Sequence, residues 1–127
     1  IGLKGDWHGL AHGAAKKDGA EKIGRFDQFL TEHLARFLTR LRDTPEGDGN
    51  LLDRTQVLYG SPNGKTHSNR NLPLLLAGGG KLGLKHGHYL KFGESTPMSN
   101  VFVSMLQAMA LEEERFADST GTLTGLS

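Results

Sequence analysis

Ile23, Phe26, Leu30, Leu34, Phe37 and Leu41 recur at steps of three and four, and Phe29 and Leu38 widen the stripe. That spacing lays apolar side chains along one face of a helix and predicts a long amphipathic helix over about 20–43. Asp18 is placed to cap it, with Glu21 three residues later in the pattern of a capping box, and Thr44-Pro45-Glu46-Gly47-Asp48-Gly49 ends it. A second stripe, Val101, Phe102, Met105, Leu106 and Met109, predicts a helix over about 97–110 opened by Thr96-Pro97. Between the helices lie two short apolar runs, Thr55–Tyr59 (interrupted by Gln56) and Leu72–Ala77. They are apolar at successive rather than alternate positions, which suits strands covered on both faces in a parallel sheet. Leu51-Leu52-Asp53 reads as a turn before the first strand, and the mixed segment 83–92 has room for a short strand or hairpin near Tyr89–Phe92. Residues 1–19 show no period and read as a loop leading into the first helix. The expected class is α/β, a mostly parallel sheet of two to four strands flanked by two main helices.

At 127 residues the chain can bury one core. A formal net charge of +1 points to no nucleic-acid or membrane-surface partner, and no apolar run reaches the ~20 residues of a membrane span. Without cysteine, disulfides and thiolate zinc sites are excluded. The 18 glycines, about twice the usual frequency, gather in loops. Gly78-Gly79-Gly80 lacks the Lys-Ser/Thr and the following helix of a phosphate loop and reads as a chain turn at the sheet edge. Asp118-Ser119-Thr120-Gly121 resembles an Asp-Ser-Gly protease triplet without the strand context such a motif needs.

The candidate chemistry is carried by histidine and by one polar loop. His8 and His12 stand at i and i+4, which on a helical turn puts both imidazoles on one face, as metal ligands require; Gly9 and Gly13 weigh against a stable helix there. Between the two apolar runs, the loop Gly60–Asn71 concentrates Asn63, Lys65, His67, Asn69 and Arg70. Imidazole and the Asn63 carboxamide oxygen can hold a divalent cation, while Arg70, Asn69 and Lys65 can bind an anion such as phosphate or sulfate. The competing reading is a solvated loop whose asparagines hold turns. His86 and His88 flank Gly87, so an extended segment would put both on one face, where one could join a site and the other face water. His33 lies beside the helix stripe and reads as a packed or surface residue.

Taken in order, WHGLAHG, FLTRLRDTPEGDGNLLD, VLYGS, NGKTHSNRNLPLLLAGGG, HGHYLKF, TPMSNVFVSML and FADSTGTL resemble the HXXSHH domain family, secreted bacterial proteins of undetermined function named for a histidine motif. The resemblance covers nearly the whole chain. His8 and His12 match the first two histidines of the motif, whereas Ala11 stands at its serine and Gly13 at its last histidine. The resemblance implies an extracytoplasmic protein and a C-terminal part of the domain. The partner of this segment would then be the N-terminal part of its own chain. The opening Ile1-Gly2-Leu3, without Met, and the small polar segment from Phe116 onward point the same way. More distantly the family is similar to the alkaline phosphatase and sulfatase superfamily, whose α/β sandwich carries paired divalent metals. Carried over, His8 and His12 match that superfamily's first acid-and-His pair in spacing, Asn63 or His67 falls near the second pair, and His86 falls near the last ligand. The nucleophile would lie outside these residues, and the loop holds no acid to match the superfamily's Asp-His pair.

Two functions follow as expectations. One is a metal-dependent hydrolase of phosphate or sulfate esters, or a degenerate relative, using zinc, calcium or magnesium on an anionic small molecule or glycan. The other is a non-catalytic extracytoplasmic binding or scaffold domain on a hydrolase-like fold.

Overall fold

A computed structural model describes residues 1–63 and 67–126. It shows a small α/β fold with three helices and two short antiparallel two-stranded sheets: α1 (Trp7–Gly13), α2 (Gly19–Asp43), β1 (Pro45–Glu46), β2 (Gly49–Asn50), β3 (Gln56–Gly60), β4 (Leu74–Gly78) and α3 (Ser99–Ala108). No helix among the described residues is long and apolar enough to cross a membrane.

The two stripes of the sequence become α2 and α3. Along α2, Ile23, Phe26, Leu30, Leu34, Leu38 and Leu41 are half-buried. Phe29, which widened the stripe, and Phe37, a member of the stripe itself, are 37% and 49% exposed. The start of α2 is built differently from the expectation. Asp18 occupies the cap position in the left-handed region at φ 59°, and its side chain caps nothing. The capping box lies instead at Asn50 and Asp53, where each side chain accepts from the other's amide, at 3.2 Å to Asn50 Oδ1 and 3.0 Å to Asp53 Oδ2. It fixes the single helical turn Leu51–Arg54 that aims the chain into β3.

α2 begins where α1 has just ended, and the approach is close. A Cβ built on buried Gly19 would overlap the Gly13 carbonyl oxygen. Gly19→Ala is therefore expected to lower thermal stability by roughly 1–3 kcal/mol through forced backbone displacement. Gly24→Ala, at a position in the same helix with open space around it, should raise stability by ~0.5–1 kcal/mol. Paired thermal melts check both signs.

β3 and β4 pair antiparallel, with Gln56 opposite Gly78 and Gly60 opposite Leu74. The expectation of a mostly parallel sheet is corrected for these strands. A parallel pair needs a crossover element, usually a helix. The polar segment 61–73 has no helical stripe and returns the chain directly beside β3. Nor are both faces covered throughout, since Leu74 and Leu75 are 40% and 46% exposed. Segment 83–92 forms no strand. The triple glycine turns the chain at the sheet end: Gly78 and Gly79 have φ 76° and 71°, and the Gly79 amide donates to Leu52 O at 2.9 Å.

The hydrophobic core is Leu84, Val101 and Val103, with Val103 fully enclosed. The Gln56 carboxamide joins β3 to α3 by donating to Met105 O at 2.9 Å. Polar groups fasten the C-terminal segment to α3. Buried Asn100 accepts from the Thr120 amide at 2.9 Å and donates to Thr120 Oγ1 at 3.2 Å, while Ser99 Oγ donates to Asp118 at 2.7 Å. Ser119 is buried and accepts from the Phe116 amide at 2.7 Å, so the Asp-Ser-Thr-Gly run serves as a structural tie. Elsewhere on the surface, hydrogen bonds from Lys81 and then Arg54 hold the Asp48 carboxyl well below the usual carboxylate range. These exposed ion pairs persist above the ordinary carboxylate pKa and are lost only as pH falls through the depressed one.

Candidate metal centre

Residues 1–19 are not simply a loop. α1 forms because Asp6, in extended backbone, accepts a 2.8 Å hydrogen bond from the Gly9 amide, and Asp6 O accepts from Leu10 at 3.2 Å. The Gly9 amide holds the Asp6 carboxyl below the usual carboxylate range, with its own amide and then nearby His8 adding to the effect. The signal for this helix was Asp6, a capping residue immediately before the histidine segment; the glycines masked it. With the turn made, the i, i+4 spacing places His8 and His12 on one face, ring centroids 4.6 Å apart at 65°.

His67 comes to the same place from the loop between β3 and β4. Its backbone is left-handed, φ 60°, a conformation uncommon for residues other than glycine and concentrated at functional positions. Its ring lies 5.0 Å from that of His12 and 5.7 Å from that of His8, centroid to centroid. The Nε2 atoms of His67 and His12 are 3.1 Å apart, so one imidazole donates and the other accepts. One nitrogen from each of the three rings lies within 4.8 Å of the others. Three nitrogens bound tetrahedrally at 2.0–2.1 Å from a zinc ion are separated by roughly 3.3 Å from one another. The His12–His67 pair, with Nε2 atoms 3.1 Å apart, already stands near that spacing. All three residues are exposed, and among the described residues they form the one such group of His, Asp or Glu.

The other expected site residues are placed differently. His86 stands apart from the cluster. Its Nε2 donates to Gly78 O at 2.6 Å, at the end of the β3–β4 pair opposite the His67 loop. Four residue steps along that pair, at about 3.4 Å each, separate the two ends by roughly 13 Å. His88 donates to Gly125 O at 2.9 Å. Asn63 lies on the His67 loop. Its amide donates to Ser61 Oγ at 3.3 Å and its carbonyl accepts from the same hydroxyl at 2.9 Å, a turn-holding arrangement. Asn69 and Arg70 follow His67 on that loop, both exposed, with the Arg70 amide donating to Ser68 Oγ at 3.3 Å. Lys65 falls outside the described residues. His33 packs edge-on against Phe29, ring centroids 4.3 Å apart.

No family model, curated protein or solved structure matches this chain. The functional reading therefore rests on the geometry of the three histidines.

The donor set decides what would fit. Three neutral imidazoles suit zinc and its neighbours in the transition series, whereas calcium and magnesium select oxygen ligands. The cluster holds no carboxylate, so the full charge of a divalent ion would remain uncompensated by the protein ligands.

Proposed function

We propose that His8, His12 and His67 hold a zinc-class divalent cation and that this chain is the metal-binding part of an extracytoplasmic HXXSHH-type protein acting on phosphate or sulfate esters. The observation that carries the reading is the convergence of three imidazole nitrogens within 4.8 Å, from segments far apart in sequence. Three protein ligands leave a tetrahedral ion one position short, the arrangement of catalytic rather than structural zinc. A cation held there supplies Lewis-acid polarisation of an ester oxygen. The chain's own residues would hold that cation and steer the anion. Because the ligands are neutral, the site carries net positive charge and favours an anionic group. Asn69 and Arg70, both exposed, lie two and three residues after His67, and Lys65 stands two residues before it in sequence. Calcium and magnesium, His86 and Asn63 are not needed by this site.

The absence of a carboxylate from the cluster favours a second reading, a non-catalytic domain that uses the cation to bind an anionic small molecule or glycan. One experiment separates the two. Zinc-loaded full-length protein, which would supply the nucleophile expected outside these residues, is assayed with p-nitrophenyl phosphate and p-nitrophenyl sulfate beside metal-stripped protein. Hydrolysis that appears with zinc and vanishes in His12→Ala supports the hydrolase. Zinc-dependent retention of phosphate or sulfate without turnover supports the binding domain. A chain that takes up no zinc contradicts both.

A further inference from the structure

We infer that Asp6 is a positioning residue for this centre: by capping α1 it holds His8 and His12 in register for His67. The inference rests on the metal-binding reading above. α1 is only seven residues long, contains Gly9 and Gly13, and buries none of its side chains. Helices this short are marginal in water, and each interior glycine costs further stability. α1 therefore has little to hold it apart from its approach to α2 and the cap. The cap is the Asp6 carboxylate, whose Oδ1 accepts from the Gly9 amide at 2.8 Å. Gly9 is the residue directly after His8, so the bond fixes the backbone that carries the first ligand.

A helix so close to balance registers the loss of its cap almost in full. Metal binds only the helical form with both imidazoles on one face, so apparent affinity falls with the population of that form. Loss of a cap typically shifts a helix by a factor of about five. Asp6→Ala is therefore expected to weaken zinc binding three- to tenfold. Asp6→Asn and Asp6→Ser, which supply a capping oxygen without the charge, should restore most of it.

The test is zinc competition against a chromophoric chelator for the wild type, Asp6→Ala, Asp6→Asn and Asp6→Ser. It is run beside the cobalt(II) absorption spectrum and far-ultraviolet circular dichroism of each variant. The expected result is weaker binding and less helix in Asp6→Ala, recovery of both in Asp6→Asn and Asp6→Ser, and one cobalt band shape throughout. A changed cobalt spectrum in Asp6→Ala would make Asp6 a ligand and overturn the inference. So would unaltered affinity in Asp6→Ala, or failure of Asp6→Asn and Asp6→Ser to recover, which would point to the charge rather than the cap. If the wild type binds no zinc, the metal reading fails, and the positioning role falls with it whatever the helix content shows.

Discussion

His12→Ala should weaken zinc binding by more than about 100-fold, because even the outer partners of metal ligands are worth 10–100-fold in affinity. His12 stands at the centre of the cluster. Its ring faces His8 at 4.6 Å and His67 at 5.0 Å, and its Nε2 lies 3.1 Å from that of His67. Removing it leaves two imidazoles from different segments with nothing between them. His8→Ala and His67→Ala should each have comparable effects, since each removes one ligand of three. His33→Ala and His88→Ala should leave zinc affinity within about twofold of wild type, because His33 packs on Phe29 and His88 donates to Gly125 O. His86→Ala belongs with these controls, as its imidazole is spent on the Gly78 carbonyl. Neutral imidazole is the ligand, so acidification should weaken binding as protons compete for the same nitrogens. Equilibrium dialysis at neutral and acid pH gives each value.

The largest expected loss of stability is at α3. Asn100→Ala should destabilise the fold by roughly 2–4 kcal/mol. Asn100 is 4% exposed and satisfies Thr120 twice, accepting from its amide and donating to its hydroxyl. Alanine would leave the Thr120 amide without its partner and weaken the hold of α3 on the C-terminal segment, which the Ser99–Asp118 bond would still tie. Asn100→Asp keeps the acceptor but not the donor and should lose less at neutral pH. Denaturant unfolding gives both values. The same variants should bind zinc as wild type, because no ligand of the centre lies on α3 or beyond it. A loss confined to stability would separate the core from the site.

The helices were legible because α2 and α3 repeat apolar residues often enough for their period to show. The stripe on α2 includes Phe29 and Phe37, yet both stay substantially exposed, at 37% and 49%. Periodicity reports which residues share a face, and burial depends on what packs there. The strands were legible in place, but their direction was not. Largely apolar runs suggested a parallel sheet, whereas β3 and β4 pair antiparallel and need no crossover helix. α1 was missed as an element because its glycines erase any period, and its one local signal is a single capping aspartate. Its histidine spacing was nonetheless readable, since i, i+4 needs only one turn. His67 stood out by chemistry within a polar loop. That it would join His8 and His12 in one site was an expectation, and the two rings do meet; the left-handed backbone at His67 that brings them together was not visible in the sequence. His86 stood out equally and is engaged elsewhere. Residue type alone could not separate the two.

The central claim is that three imidazoles make one tetrahedral metal site with an open position. Cobalt(II) reports this directly, since a four-coordinate ion absorbs visible light far more strongly than a six-coordinate one. Titrating metal-free protein with cobalt(II) should give intense visible bands that saturate at one equivalent and are erased by stoichiometric zinc. Weak bands that grow without saturation, or strong bands that persist after all three histidines are replaced by alanine, would contradict it.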